Sequence, residues 1–239
     1  SDSGVNNLNQ FIQAEKITKD LNPTYGSIQK LFSRNTDLVA FCEDRVVRIS
    51  ANKDAIFNAD GNPQLIASNR VLGQTLPFTG DYGISTNPES FAKDSYRAYF
   101  ADKQRGSVIR LSKDGLTPIS DYGMSDYFKD SLGSNNATTL IGTYDDRKGE
   151  YNLTIPALSS TASFKESVNG WSSFKSFIPE QGVNVSNNYY TFKKGIPYKH
   201  HVEVDQAGNN IDRNTFYNVY NPSTISVLLN DAPDVIKSY

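Results

Sequence analysis

Four carboxylates stand in strand-like text where a cleft could bring two of them together: Asp102, Asp145, Glu150 and Asp205. A glycoside hydrolase needs two opposed carboxyl groups, one to protonate the leaving oxygen and one to attack or to activate water; a lyase needs a basic residue in a cleft. No spacing singles out a pair among the four, so the groups are present without the constellation. The two histidines, His200 and His201, are adjacent. On one strand they would leave by opposite faces, which disfavours a joint metal site or a catalytic dyad and leaves a packed or exposed structural role. Cys42 is the single cysteine and lies in an apolar run, so it forms no internal disulfide and reads as a small core residue. Asn58-Ala59-Asp60-Gly61-Asn62 has the outline of a calcium loop without the bidentate Glu, and an Asp-Gly turn explains it. Asp145-Asp146 likewise reads as a solvated turn, because no further oxygen-rich cluster is tied to it. The expectation is a chain that is not an enzyme, with no catalytic, cofactor or metal residues, no cofactor, and ligand-binding residues unspecified.

The elements that must carry these residues are strands. Only 37% of the 239 residues are hydrophobic, yet 14 Tyr and 13 Phe accompany one Trp and one Met. That balance belongs to a β protein with large, polar-tipped interfaces rather than to a helical bundle. Lys+Arg 24 against Asp+Glu 26 gives a net charge of −2 with no block of one sign, which argues against sequence-independent binding to nucleic acid phosphates. A near-neutral wall past which DNA slides is still allowed. No apolar run approaches the length of a membrane span and no signal peptide opens the chain, so membrane insertion is not expected. The chain starts without methionine and stops in mid-pattern, the expectation for a proteolytic or truncated fragment of a longer polypeptide.

The segment Tyr96 to Ser120 reads as a strand with Tyr96, Ala98 and Phe100 on one face, then a strand through Val108, Ile109 and Leu111 into a Lys113-Asp114-Gly115 turn. Similar text recurs at Leu38 to Asp54, Leu140 to Ile155 and Tyr189 to Val204. Taking Tyr99, Tyr144 and Tyr190 as equivalent gives steps of 45 and 46 residues, while the step back to Phe41 is 58 and requires an insertion. Such a period suits propeller blades; an antiparallel sandwich is the other architecture these hairpins allow.

Helical spacing over Val5 to Leu21, ended by Asn22-Pro23, and a second short helix over Ser27 to Arg34 capped by Ser27 give a helical opening segment, residues 1–35. Residues 36–239 form the β-rich, propeller-like domain, incomplete without flanking chain. Residues 51 to 91, dense in Asn, Gly, Asp and Pro, supply turns or a long excursion. A helix is expected from Met124 to Gly133, with Ser125 as its cap and Gly133 as its stop. Asn169-Gly170 signals a hairpin whose second strand carries Trp171, Ser173 and Lys175 on one face. A Gly208-Asn209-Asn210 turn follows, and Val227 to Leu229 suggest a buried strand.

Several stretches, NPTYGSIQKLFSRNTDL (22–38), ANKDAIFNADGNPQL (51–65), GISTNPESFA (83–92), YFADKQRGSVIRLSKDGLTPIS (99–120), GWSSFKSFIPEQG (170–182), YYTFKKG and RNTFY, resemble the muzzle or nozzle-type tail proteins of crAss-like short-tailed bacteriophages. The resemblance covers nearly the whole chain and brings no catalytic residues with it. It implies one segment of a longer virion tail polypeptide, built around β-propeller domains. It further implies a ring about the DNA exit channel that takes part in genome retention and ejection. The partners it implies are other copies of the chain, flanking segments of the same polypeptide, other tail proteins, and DNA in transient, non-specific passage. A host-surface glycan-binding or glycan-degrading propeller module is the alternative, in which exposed Tyr and Trp171 would stack on sugars.

Overall fold

The computed structural model describes residues 18–34, 37–57, 63–133 and 138–227, with backbone alone over 51–57 and 63–71. Two compact units are present, Ser1–His200 and His201–Tyr239. The first is mainly β, with strands in chain order within every sheet. A first sheet holds β1 (Ile28–Arg34), β2 (Asp37–Cys42), β3 (Val46–Phe57) and β4 (Pro63–Pro77), and a second holds β5 (Ala92–Lys93), β6 (Ala98–Asp102), β7 (Ser107–Ser112) and β8 (Gly115–Pro118). The helix α1 (Ser125–Gly133) follows. A third sheet comprises β9 (Ile141–Asp145), β10 (Glu150–Ile155), β11 (Ser160–Lys165) and β12 (Gly170–Lys175), and a fourth comprises β13 (Gln181–Val185), β14 (Asn188–Lys193) and β15 (Ile196–Lys199). The second unit carries a small hairpin, β16 (Thr215–Phe216) and β17 (Val219–Tyr220), and a turn in which Val204 bridges Asn210.

Alternation along the strands decides which sheet meets which. On β6, Ala98 and Phe100 point into a core with Val39, Phe41, Val46 and Ile84, while Tyr99 and Ala101 point into another with Leu153, Ile155 and Phe164. The second sheet is thus covered on both faces, by the first and third sheets in turn, and α1 adds Phe128 and Leu132 to the second core. The third sheet has two unlike faces. Tyr151 and Leu153 face the second sheet. Their neighbours Asn152, Thr154, Thr161 and Ser163 are buried on the opposite face. In that polar layer Thr154 meets Thr161 (2.7 Å), Ser163 donates to Asn152 (2.6 Å) and Thr161 donates to the Phe177 carbonyl (2.6 Å), while Asn152 Nδ2 is buried without a partner. The Thr143 and Tyr189 hydroxyls, 2.7 Å apart, tie it to the fourth sheet.

Two close approaches require glycine. A Cβ on Gly142 would stand 1.8 Å from the Ser90 carbonyl oxygen, and one on Gly83 would stand 2.0 Å from that of Glu43. Glycine there lets β9 touch the 3-10 turn Pro88–Ser90, and lets the loop after β4 touch the β2–β3 turn.

Several expectations change. Ser27 to Arg34 is not a helix: residues 28–34 form β1, paired with β2 from Ile28↔Cys42 to Arg34↔Asp37. Ser27 spends its backbone and hydroxyl protons on Glu43 Oε1 instead of capping a helix. Cross-strand pairing overrides the local 3–4 spacing of Ile28, Leu31 and Phe32. Tyr96 is not on β6: it sits 80% exposed in a turn whose amides bond to Asp94. Tyr99 and Tyr190 lie on the second strands of their sheets but Tyr144 lies on the first, so equal spacing does not mark equivalent positions. The described residues do not close a ring of sheets.

Other expectations match what is observed. The Leu38 to Ile49 hairpin, α1 over Ser125–Gly133, the β11–β12 hairpin at Asn169-Gly170 and the turn at Gly208 are all present. The turn at Asn169 is a 3-10 turn, Glu166–Val168, closed by Asn169 in the left-handed region, and Pro156–Leu158 with Ser159 repeats it one strand earlier. The long first spacing comes from the extended β3–β4 ribbon. The calcium-like loop 58–62, the helical spacing up to residue 17 and the strand beyond Val227 lie outside the described residues.

Candidate functional site

Two of the four candidate carboxylates hold the same kind of turn. Asp102 ends β6 and is fully buried; its Oδ1 accepts from Ser85 Oγ (3.1 Å) and the Arg105 amide (3.2 Å), and its Oδ2 from the Gly83 amide and Arg105 Nη1 (3.0 Å each). Asp145 ends β9, equally buried, and its Oδ1 accepts from the amides of Arg147 (3.1 Å) and Lys148 (3.2 Å). Four residues after each aspartate a glycine with φ near +60°, Gly106 or Gly149, completes the hairpin. The repeat is therefore Asp-x-x-Arg/Lys-Gly, legible in DKQRG and DDRKG once the turn rather than the tyrosines is taken as the landmark.

Glu150 pairs with Lys175 and, at 3.7 Å, with Lys165. Asp205 belongs to the second unit, where it accepts the amides of Ala207 (2.9 Å) and Asn209 (2.8 Å). The Asn209 bonds, side chain and backbone, hold its carboxyl below the usual aspartate range. These carboxylates organise turns and strand pairs, and Asp145 and Glu150 face each other as ladder partners of β9 and β10. The Asp146 carboxyl is pushed up by burial and by the charges of Asp145 and Asp94. Among the described residues, no three His, Cys, Asp or Glu side chains gather as metal ligands do.

His200 follows β15, with Nε2 2.7 Å from Thr191 Oγ1 and its ring 4.8 Å from Tyr189 and 5.0 Å from Phe177. His201 takes a left-handed φ of 59° where the strand has ended, so the two do not alternate on one strand. Burial, then the charge of Glu43, raises the Cys42 thiol above its ordinary range, as befits an inert core residue. Trp171 donates Nε1–H to the Ile119 carbonyl (2.9 Å) and packs 4.5 Å from Phe128 and 5.5 Å from Phe164. Trp171 is half-buried and Tyr189 buried, and both are committed to internal contacts.

What the sequence reading missed is a charged seam. Tyr99 stacks on Tyr151 at 5.0 Å and on Tyr144 at 5.5 Å, and its hydroxyl donates to Glu166 Oε1 at 2.8 Å. The other oxygen of Glu166 receives Arg110 Nη1 at 2.9 Å and lies 3.7 Å from Arg97 Nε. Arg97 also meets Asp94 at 3.2 Å. Burial lowers the Arg97 pKa, but Glu166 and Asp94 more than offset it and leave it above the ordinary value. Burial pushes the hydroxyls of Tyr99, Tyr144 and Tyr151 upward, Tyr144 to about 12.

Beside the seam, between the first and second sheets, opens a cavity of about 590 Å³. Arg34, Lys93, Arg97, Arg110 and Lys113 line it, against Asp94 and Asp114, with Phe32 and Tyr96 as its aromatic wall. Arg34 is fixed by a 2.9 Å bond from Nη1 to the Ser112 carbonyl, and Lys93 Nζ lies 5.5 Å over the Phe32 ring. The cations are scattered through the sequence. The one local signal is Arg110, polar and alternating between the buried Ile109 and Leu111.

The chain matches the family of crassvirus muzzle proteins over residues 13–195. No curated protein matches it. Among solved structures it is similar to a putative 6-phosphogluconolactonase from Bacteroides uniformis, with 12% identity and a TM-score of 0.35 over 72% of this chain. The chain spans 55% of that protein, and so slight a likeness carries no argument about fold or activity. The match across residues 13–195 takes in the first three sheets and the aspartate-glycine turns, and the chain belongs to the crassvirus muzzle protein family.

Proposed function

We propose that this chain is a structural component of the crassvirus tail, one segment of a ring at the distal end that surrounds the DNA exit channel and takes part in holding and releasing the genome. The observation that carries this is the muzzle family match across residues 13–195. The fold supports it. Antiparallel sheets with strands in chain order, packed first on second, second on third and third on fourth, are compatible with a propeller whose closure would come from flanking chain or further segments. The former catalytic candidates are bound into turns and ion pairs, as suits a load-carrying part rather than an enzyme.

The partners are other copies in the ring, flanking segments of the same polypeptide and other tail proteins, held by apolar and aromatic burial at their interfaces. DNA passes without being gripped, as a net charge of −2 allows. No helix among the described residues is long and apolar enough to cross a membrane. The test is the native mass of the chain isolated from virions, with identification of what accompanies it. Recovery in a multi-copy assembly with flanking pieces and tail proteins is expected. A stable, partnerless monomer overturns the proposal.

A further inference from the structure

We infer that the cavity between the first and second sheets is an anion site that takes a phosphomonoester of about nucleotide size. The five cations on its wall face two carboxylates there, Asp94 and Asp114, with Glu166 behind Arg97 and Arg110. The balance of five against three leaves two positive charges, which a dianion neutralises and a simple carboxylate does not. Arg97 and Arg110 are held in place by their bonds to Asp94 and Glu166, and an oxyanion would use the guanidinium donors that those bonds leave over. The Arg110 side chain is only 17% exposed and its buried Nε has no hydrogen-bond partner, so added negative charge nearby is favourable to it.

Size separates an ester from free phosphate. A volume of about 590 Å³ is far larger than a phosphate ion needs and suits a small organic molecule. The Tyr96 ring, 80% exposed on the lining, offers a face on which a base or sugar ring stacks. A half-open pocket of this extent holds one ester group rather than tracking a duplex backbone, which calls for a continuous basic stripe.

Binding to the full chain is measured calorimetrically with adenosine 5′-monophosphate, adenosine and inorganic phosphate, and the site is tested with Lys93→Glu/Lys113→Glu. Both lysines are exposed, and an unchanged far-UV spectrum and thermal midpoint check that the double variant keeps the fold. The expected result is saturable binding of the monophosphate, at least about tenfold weaker binding of adenosine and of inorganic phosphate, and at least about a tenfold loss in the double variant. Equal binding of adenosine and its monophosphate, or no saturation by about 10 mM, overturns the inference. So does an unchanged affinity in the double variant. Short DNA with and without a 5′-phosphate separates the sources: binding that needs the 5′-phosphate means a strand terminus, and binding of the monophosphate alone means a free nucleotide. Equal binding of both DNAs means backbone attraction and overturns the site.

Discussion

Tyr99 and Glu166 join the second and third sheets through a 2.8 Å hydrogen bond from a buried phenol to a carboxylate that also holds Arg110. The bond spans 67 residues of sequence and sits at the edge of the larger core cluster. Replacing Glu166 by Ala leaves a phenol and two guanidinium groups short of a partner. We expect a cost of about 2–4 kcal/mol for Glu166→Ala and about half that for Glu166→Gln, read from denaturant midpoints. A double-mutant cycle with Tyr99→Phe should return a coupling of about 0.5–3 kcal/mol. Additive effects would mean the bond does not join the sheets energetically.

Gly142→Ala tests the close approach of β9 to the 3-10 turn Pro88–Ser90. The new methyl would collide with the Ser90 carbonyl, whose oxygen also accepts the Tyr151 hydroxyl at 2.8 Å, so backbone rather than a pliable side chain must move. A loss of about 2 kcal/mol or more is expected. Gly133→Ala, at the end of α1 with open space about it, should be neutral or stabilising by up to about 1 kcal/mol. Equal thermal midpoints for the two variants would contradict this contrast.

The tyrosine stack makes stability fall in alkali. Tyr144 is held neutral up to about 12, against an ordinary value of 10.0 when unfolded. Below pH 10 both states keep the proton and the contribution is complete. Between pH 10 and about 12 the unfolded chain ionises first, so the folded state binds more protons and stability drops as pH rises. Unfolding midpoints measured from pH 8 to 11 should show this decline, and Tyr144→Phe should reduce it while Tyr99 and Tyr151 maintain the remainder. Absorbance near 295 nm should show a minority of the 14 tyrosines resisting ionisation until unfolding.

Trp171 reports the joint between α1 and the third sheet. Its indole bonds to Ile119 and packs on Phe128 and Phe164, so Trp171→Phe should cost about 1–3 kcal/mol. As the one tryptophan, it also gives a fluorescence signal for that joint alone. A blue-shifted emission that moves red on unfolding is expected. Emission already at the solvent-exposed position would refute the packing.

The β character was legible because alternation is dense where sheets bury both faces, as in Ala98 to Asp102 and Glu150 to Ile155. The helix from Ser125 to Gly133 was legible from its first-turn Asp126 and apolar spacing, although Ser125 and Gly133 are its first and last helical residues rather than caps outside it. The strand over Ile28–Arg34 was not, because its pairing with Asp37–Cys42 is a tertiary fact and its own apolar spacing suits a helix equally well. Tyr99, Tyr144 and Tyr190 misled because aromatics recur on both first and second strands, whereas Asp102 and Asp145 repeat for a geometric reason. The cavity was hidden, since Arg34, Lys93 and Arg110 meet only when the first sheet lies on the second.

Each strand in the four larger sheets bonds only to strands next to it in the chain. The third sheet therefore needs nothing beyond Ile141–Lys175 to complete its ladder, and it can form while later residues are still being synthesised. The same wiring sets the response to tension. Pulled from its ends, the first unit would peel strand by strand, with the Tyr99–Glu166 and Thr143–Tyr189 bonds as successive catches between sheets.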